Sequence, residues 1–394
     1  MKRLLLATAT GALMSGAAMA EDIQMALHLG FTGPLESMAP NIVAGAEAAI
    51  AEVNESGLLL GGDVTVKGVR SDTTCIDAAA SVAAAERQVA EGARFMVGGQ
   101  CSGETIATLE RVGIPNGMIM ISPSATSPAL TTIDDNGLFF RTAPSDARQG
   151  EVMAELAREK GYESAAITYT NNDYGKGLAD SFAAAFTAAG GTVTMSAAHD
   201  DGKADYSAEV GALAAAGGDV LVVVGYIDQG GAGITRGVLD TGAFETFIFP
   251  DGMVGDAILE RFGDEIAGST GINPASEGEG RDRFVAIGEA GGFDGNGPYS
   301  AESYDAAALM MLAMQAAGST DPNEVKEHIM AIANGEGEVI LPGELARGLE
   351  LLAAGEAINY EGASTSELVE PGENPGSFRI TDYTADGASV AGYR

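Results

Sequence analysis

Residues 98–105 read GGQCSGET and residues 122–128 read SPSATSP. Each stretch follows a short apolar run, RFMV over residues 94–97 and MIMI over residues 118–121, and such runs indicate buried strands. Both stretches are therefore expected at the carboxyl ends of strands, where open α/β sheets bind their ligands. Their hydroxyls and backbone N–H groups suit a small anion such as a carboxylate. The pattern shows no obvious catalytic acid or base.

The first twenty residues have the pattern of a secretory signal. Lys2 and Arg3 precede an apolar run over residues 4–14, and residues 18–20 (AMA) form a small-x-small cleavage site. No later stretch reaches about 18 uninterrupted apolar residues, the length that a membrane-spanning helix needs. We therefore expect cleavage after Ala20 and a mature chain in the periplasm.

Length and charge limit both the architecture and the partners of the chain. About 374 residues would follow the signal, which is enough for two domains that each bury a core. The formal net charge is −35, with 56 acidic and 21 basic side chains. A chain this acidic is not expected to bind nucleic acid or an anionic membrane surface.

Cys75 and Cys101 are the two cysteines of the sequence. Because an exported chain meets oxidising conditions, we expect them to form a disulfide, worth roughly 3 to 4 kcal/mol in the chain-entropy model. A metal site is not expected, since neither cysteine has another Cys or His two to five residues away. His28, His199 and His328 are also too far apart in the sequence to suggest one.

Strand-like and helix-like runs alternate along the chain, which predicts parallel sheets with helices on both faces. The first predicted set is strand 23–31, helix 41–54, strand 64–71, helix 78–91 and strand 94–97. The pattern restarts after residues 141–144 with helix 148–160, strand 164–170, helix 177–189, strand 192–196, helix 206–216, strand 219–224, helix 233–241, strand 246–249 and helix 255–262. A long core helix over residues 300–317 and a hairpin-like region including residues 377–384 complete the prediction. The restart indicates a second α/β lobe.

Common catalytic motifs are missing from the sequence. It has no HExxH, GxSxG or Walker A motif, and its glycine pairs miss the third position of the dinucleotide fingerprint. These absences argue against a metallopeptidase, a serine hydrolase, an NTPase and a nicotinamide-dependent enzyme. We therefore predict no catalytic residue, metal or cofactor.

The order of the remaining motifs resembles the leucine/isoleucine/valine-binding proteins, type I periplasmic binding proteins that supply ABC importers. The matching segments lie in order between residue 23 and about residue 320. They are residues 31–34 (FTGP), 45–47 (GAE), 72–75 (DTTC), 98–102 (GGQCS), 122–128 (SPSATSP), 172–177 (NDYGKG), 225–226 (GY) and 250–252 (PDG). Cys75 and Cys101 also fall where family members carry their disulfide.

The resemblance implies an α/β fold of two Rossmann-like lobes with parallel central sheets, joined by a three-strand hinge. We expect the chain to cross between lobes near residues 142, 272 and 345–358. Lobe 1 would then comprise residues 21–142 and 272–345, and lobe 2 residues 143–271 and 346–394. A monomer of this kind would capture a small amino acid in the cleft and present it to ABC permease subunits in the inner membrane.

The resemblance also implies how the first lobe would hold the ligand. Ser102 and Thr126 would bind the α-carboxylate through their hydroxyls and backbone N–H groups. The backbone of Ser124 and Ala125 would add contacts. Neutral donors for the ligand's carboxylate, with one carboxylate for its ammonium, would leave a site for a zwitterion almost charge-balanced.

The second lobe would supply the ammonium partner. Asp251 would bind the α-ammonium, and Tyr174 and Tyr226 would close over the ligand. Two residues depart from the family pattern, because Asp251 stands where members often have glutamate and Met38 lies near a position that is often aromatic. The shorter carboxylate of Asp251 and the flexible thioether of Met38 are compatible with several ligand side chains. A branched-chain or other neutral amino acid is expected.

Several alternatives stay open at this point. Ser102 and Thr126 could simply cap helices, Asp251 could shape a turn and Tyr174 could be a packed surface ring. The same fold could bind an amide, or an aromatic or other small carboxylate without an α-ammonium. It could also serve as the sensing subunit of a membrane receptor, and an exported enzyme is a further alternative.

Overall fold

The computed structural model describes residues 21–394, so the predicted signal peptide lies outside the described residues. The strands are β1 (Glu21–Leu29), β2 (Val64–Asp72), β3 (Phe95–Gly98), β4 (Ile119–Ser122), β5 (Phe139–Pro144), β6 (Ser164–Thr170), β7 (Thr192–His199), β8 (Val220–Val224), β9 (Phe247–Phe249), β10 (Thr270–Pro274), β11 (Glu338–Ile340), β12 (Ile358–Tyr360), β13 (Glu373–Asn374), β14 (Phe378–Thr384) and β15 (Gly387–Tyr393). The α-helices are α1 (Ala39–Ser56), α2 (Ala78–Ala90), α3 (Ser102–Thr108), α4 (Ile114–Asn116), α5 (Asp146–Glu159), α6 (Asp173–Ala188), α7 (Ser207–Ala216), α8 (Gly230–Thr241), α9 (Asp256–Phe262), α10 (Glu279–Gly291), α11 (Ser300–Ala317), α12 (Pro322–Ala333) and α13 (Leu345–Ala353).

Two separate sheets organise the molecule. The first is entirely parallel and has the order β13-β5-β4-β3-β1-β2. The second has the order β15-β14-β10-β9-β8-β6-β7, in which β14 pairs antiparallel with both β10 and β15, and the pairings among β10, β9, β8, β6 and β7 are parallel. This arrangement confirms the predicted α/β fold with two parallel-sheet lobes. The hairpin matches the β region predicted at the C-terminal end.

Local sequence explains why these elements form where they do. β8 is a run of Val and Leu that is buried along its whole length, as expected for a strand covered on both faces. α1 has a proline in its first turn and ends at Gly57, whose φ of 64° suits glycine. α11 is buried from Ser300 to Gln315 and packs against α1, α12 and α13, so it is the core helix that the sequence predicts.

The chain passes between the two sheets three times. β5 ends at Pro144 in the first sheet, and α5 then packs against α6 in the second lobe. β10 ends at Pro274 in the second sheet, and α10 follows against α1. The third passage lies between Asn374, in the first sheet, and Phe378, in the second.

The predicted third crossing at residues 345–358 is therefore wrong, and residues 346–374 belong with the first sheet rather than with the second lobe. Two carboxylates of the first lobe explain why. Glu52 on α1 accepts hydrogen bonds from the N–H groups of Gly343 (3.1 Å) and Leu345 (2.7 Å). Asp305 on α11 is buried and accepts hydrogen bonds over residues 360–366 from two N–H groups and three hydroxyls. These contacts hold the segment against the first lobe.

Cys75 and Cys101 form a disulfide, as predicted, with 5.3 Å between their Cα atoms. Both cysteines are buried. The bridge ties the loop that follows β2 to the start of α3. Among residues 21–394, no helix is both long and apolar enough to cross a membrane.

Candidate ligand-binding site

The two hydroxyl-rich stretches meet at one edge of the first sheet. β3 and β4 are parallel neighbours, with Val97 opposite Ile121, so the residues that follow them leave the sheet side by side. The Ser122 hydroxyl donates to the carbonyl of Gly99 at 2.7 Å, and the Ser124 hydroxyl donates to the carbonyl of Gln100 at 2.9 Å. The two turns therefore form one connected surface.

On this surface, Ser102 and Thr126 have hydrogen-bonding groups that are available to a ligand. Ser102 Oγ accepts the N–H of Ser127 at 3.0 Å, which leaves the hydroxyl hydrogen of Ser102 available to a ligand. Thr126 Oγ1 is buried and has no hydrogen-bond partner among residues 21–394. The backbone N–H of Thr126 also makes no hydrogen bond within that range. We call Ser102, Thr126 and the turn of residues 122–128 the hydroxyl wall.

The ligand contacts expected of the Ser124 and Ala125 backbone stay a prediction. In the structure their N–H groups donate to Ser122 Oγ, at 3.3 Å and 2.9 Å, and so complete the turn. The reason is local, because a serine hydroxyl readily accepts from backbone N–H groups two and three residues later. The N–H that stays available in this turn is that of Thr126.

Asp251 lies on the opposite side of the cleft, in the turn that follows β9. It is 4% exposed and accepts hydrogen bonds from Gln149 Nε2 (2.9 Å), the Tyr174 hydroxyl (3.1 Å) and the Tyr299 hydroxyl (2.7 Å). Burial raises the pKa of Asp251, and these three neutral donors offset part of that rise. An acid in this position gains most from a cationic group of a ligand.

Tyr174 and Tyr226 line the same cavity as Asp251, and their closing over a ligand stays a prediction. Their rings stack at a centroid distance of 5.3 Å and an interplanar angle of 13°. Tyr174 accepts the N–H of Gly252 at 3.3 Å, and Tyr226 accepts Nδ2 of Asn172 at 3.0 Å. Both rings are buried and line the cavity, together with Ser102, Ser124 and Asp251.

A second buried acid, Asp146 at the start of α5, was not predicted from the sequence. Both of its carboxylate oxygens are buried and have no hydrogen-bond partner in the part of the chain that the structure describes. Burial raises the pKa of Asp146 well above its usual range, and the nearby charge of Asp251 raises it further. We call Asp146 and Asp251 the acid wall. In the sequence, the only indication of this role is that an acid directly follows Ser145. An acid is common at the start of a helix, so this indication is weak.

Gln149 and Tyr299 were missed as well. Gln149 is buried one turn into α5 and has a carbonyl oxygen, Oε1, without a partner among the described residues. Tyr299 comes from the first lobe, directly before α11, and reaches across to Asp251 in the second. Neither belongs to a motif, so only their contacts reveal them.

The remaining wall of the cavity is mostly apolar. Leu35, Met38 and Cys101 line it, and the Gln100 side chain is held by the N–H of Gly30 at 2.8 Å. The enclosed volume is about 10 Å³, roughly the space of one water molecule. A ligand therefore needs the lobes to part before it can enter.

Direct contacts hold the lobes together in this closed form. Asp228 of the second lobe accepts the N–H of Ser37 at 2.9 Å and donates its own N–H to the carbonyl of Pro34 at 3.2 Å. The Ser127 hydroxyl donates to the carbonyl of Asp173 at 3.0 Å. These contacts join two loops of the first lobe, residues 34–37 and the turn of residues 122–128, to the second lobe.

Cys75, Cys101 and Glu104 form the one group of possible metal ligands within residues 21–394. The cysteines share a disulfide, so neither offers a thiolate. Burial raises the pKa of Glu104 to about 8, which keeps its carboxyl protonated at neutral pH. These groups do not fit a metal ion.

A family model described as periplasmic binding protein matches residues 22–345. The chain belongs to this family. The Leu/Ile/Val-binding protein homolog 1 of Brucella abortus is 31% identical over 310 residues, which cover 77% of this chain and 81% of the relative. The family assignment confirms the resemblance inferred from the sequence.

Solved structures show the same fold at lower sequence identity. The leucine-binding protein LivK of Thermotoga maritima has a TM-score of 0.79 and 22% identity, covering 94% of this chain and 98% of that one. A solute-binding protein of an ABC transporter from R. palustris, in complex with 4-hydroxybenzoate, has a TM-score of 0.73 and 19% identity, covering 92% and 93%.

Proposed function

We propose that this protein captures one α-amino acid between its lobes and delivers it to the membrane subunits of an ABC importer. The observation that carries the proposal is the opposite chemistry of the two walls of one cleft. The hydroxyl wall offers hydrogen-bond donors without partners, and the acid wall offers carboxylate oxygens without cationic partners. A zwitterion with adjacent carboxylate and ammonium groups satisfies both.

In this proposal the α-carboxylate binds the Ser102 hydroxyl, the Thr126 hydroxyl and the Thr126 N–H. The α-ammonium has three N–H donors, and Asp251 and Asp146 offer acceptors for them. Because each carboxylate is buried, pairing it with an ammonium removes a large desolvation cost. Tyr174 and Tyr226 then exclude water from the pair.

The acid wall also separates amino acids from aromatic acids as ligands. The R. palustris neighbour was solved with 4-hydroxybenzoate, which has a carboxylate and no cationic group. Such a ligand would leave Asp146 and Asp251 buried without a counter-charge, which is strongly unfavourable. The second wall therefore favours a ligand that carries an ammonium.

The side chain of the amino acid would face Leu35, Met38 and the disulfide. These groups are apolar, and Met38 adapts its shape more easily than a ring would. A medium-sized apolar side chain such as that of leucine, isoleucine or valine suits this surface, in agreement with the name of the Brucella abortus relative.

Closure about the three crossings would complete the site. The ligand would first bind the hydroxyl wall in an open form, and closure would bring up Asp251, Tyr174 and Tyr226. The closed form would then present both lobes to the permease. The N-terminal signal pattern and the family membership support action in the periplasm. No bond of the ligand is broken in this cycle.

A thermal-shift panel tests the ligand class directly. The purified mature chain is mixed with each of the twenty amino acids, with small amides and with aromatic acids. A ligand at a hundred times its Kd raises the stability by about 2.7 kcal/mol, so apolar amino acids should give a clear rise in Tm. A rise with aromatic acids or amides and none with any amino acid would contradict the proposal.

Uptake measurements test delivery. Deletion of the gene should abolish uptake of the labelled amino acid at concentrations near the Kd, and the gene supplied in trans should restore it. Unchanged uptake in the deletion strain, together with a lost response to gradients of the same amino acid, would favour the sensing alternative.

A further inference from the structure

Arg141 lies directly behind the hydroxyl wall and does not face the ligand cavity. It is on β5 and is 1% exposed. Its Nη1 donates to two carbonyls of the turn, those of Ala125 at 3.1 Å and Ser127 at 3.0 Å. One guanidinium nitrogen therefore binds the turn at the residues directly before and after Thr126.

Glu373 holds this guanidinium in place. Nε and Nη2 of Arg141 donate to Glu373 Oε2 at 3.1 Å and 2.5 Å, and Nη2 also donates to Thr131 Oγ1 at 2.8 Å. Glu373 is the direct cross-strand partner of Arg141 in the pairing of β13 with β5. Strand pairing and charge together thus fix the orientation of the Arg141 guanidinium, whose N–H donors form a planar fork.

The grip on the Ala125 carbonyl decides where the next N–H points. A trans peptide group is planar, and its C=O and N–H bonds point in opposite directions. Because the Ala125 carbonyl faces Arg141, the Thr126 N–H faces away from it. That N–H has no partner in residues 21–394, and Arg141 polarises its peptide group from the other end.

We propose that Arg141 is the positioning residue of the carboxylate subsite. It aims the Thr126 N–H at the ligand by binding the carbonyls on either side of Thr126, while Glu373 balances its charge. The proposal rests on the proposed function, since the anion concerned is the carboxylate of the bound amino acid. Because Glu373 directly precedes the third crossing, the same contact links the hinge to the subsite.

The test compares an amino acid with its amide, which lacks the anionic group. Calorimetry measures the Kd of L-leucine and L-leucinamide for the wild type and for Arg141→Gln. The variant should reduce the preference for the acid over the amide at least tenfold. Arg141→Lys keeps the charge without the fork and should recover part of that preference. Arg148→Gln removes an exposed arginine one turn into α5 and should leave the preference unchanged.

A purely structural role for Arg141 predicts a different result. Both affinities would then fall by the same factor, and the preference for the acid would stay at its wild-type value, which would overturn the proposal. If Arg141→Gln does not fold, Arg141→Lys alone decides, since an unchanged preference in a folded Lys variant would show that the fork does not aim the turn. A wild type that binds no amino acid contradicts the proposed function instead.

Discussion

The hydroxyl wall and the acid wall meet at one cleft, where the Asp146 N–H donates to the Thr126 carbonyl at 2.8 Å, yet they are built in different ways. The hydroxyl wall comes from two short stretches that follow adjacent strands, and hydrogen bonds between the two stretches join them. The acid wall brings together Asp146 and Asp251, which are far apart in the sequence and meet after the chain has entered the second lobe. The first wall is built from neutral donors, whereas the second brings two buried acids together, and burial raises the pKa of both.

Replacing Asp251 should give the largest loss of binding. Asp251→Asn keeps the size of the side chain and removes the charge that would pair with the ammonium. A charged hydrogen bond of this kind is worth roughly 1.5 to 3 kcal/mol, so the Kd for L-leucine should rise about 10- to 100-fold by calorimetry. Asp256→Asn, an exposed acid on the same turn region, is the matched control. Equal Kd values for the two variants would remove Asp251 from the site.

Asp146→Asn sharpens the comparison, because it should act in opposite directions on binding and on stability. Burial raises the pKa of Asp146 well above its usual range, so folding at neutral pH costs free energy to bury or protonate this acid; asparagine cannot ionise, and the Tm of the ligand-free protein should therefore rise. The same change should weaken L-leucine binding about tenfold, since the ammonium loses one of its two acidic acceptors. Thermal unfolding and calorimetry on the same samples measure both effects. A variant with lower Tm and unchanged affinity would mean that Asp146 is a structural acid.

Thr126→Val tests the neutral wall. Valine has nearly the same shape, and the Thr126 hydroxyl has no partner among the described residues, so the ligand-free Tm should change little. Loss of one hydrogen bond to a carboxylate should weaken L-leucine binding about 5- to 30-fold. Thr132→Val, at an exposed site, provides the control for the substitution itself. Full affinity in Thr126→Val would place the carboxylate elsewhere.

The smallest expected effect concerns Glu104, which lies behind the hydroxyl wall and accepts the N–H of Cys101 at 2.7 Å. Burial raises the pKa of Glu104 from 4.5 to about 8, so the folded state keeps a proton that the unfolded chain loses. The free energy of unfolding should therefore fall as pH rises from 4.5 to 8. Glu104→Gln should match the wild type at pH 5 and exceed its stability at pH 8 by more than about 1 kcal/mol.

The histidines do not obscure this comparison. Burial lowers the pKa of His28 and of His199 to about 4, so both contribute stability that increases with pH between 4 and 6.5. Both residues are present in the wild type and in Glu104→Gln, and their contribution cancels in the difference. Chemical unfolding at pH 5 and pH 8 measures that difference. If the difference in free energy of unfolding between Glu104→Gln and the wild type is no larger at pH 8 than at pH 5, Glu104 ionises as an ordinary glutamate does.

Sequence alone predicted the hydroxyl wall because its residues are contiguous and follow apolar runs. The restart of the strand–helix alternation predicted the two lobes, and two cysteines in an exported chain predicted the disulfide. The resemblance carried by ordered motifs placed Asp251 in the second lobe. Asp146, Gln149 and Tyr299 lie outside those motifs, and their role depends on which atoms lack partners after folding. No pattern in the sequence contains that information.

The position predicted for the third crossing was wrong for a similar reason. The fold that the resemblance implies placed this crossing at residues 345–358. In the structure, Glu52 and Asp305 hold that segment on the first lobe through hydrogen bonds to its backbone. Buried carboxylates far away in the sequence thus decide the boundary.

The most direct test uses three ligands that differ by one group each. Calorimetry measures the Kd of L-leucine, of 4-methylpentanoate, which lacks the ammonium, and of 3-methylbutylamine, which lacks the carboxylate. If both walls bind the zwitterion, each truncated ligand should bind at least about 100-fold more weakly than L-leucine, because a buried group on one wall is then left unpaired. Binding of 4-methylpentanoate as tight as that of L-leucine would contradict the role of the acid wall.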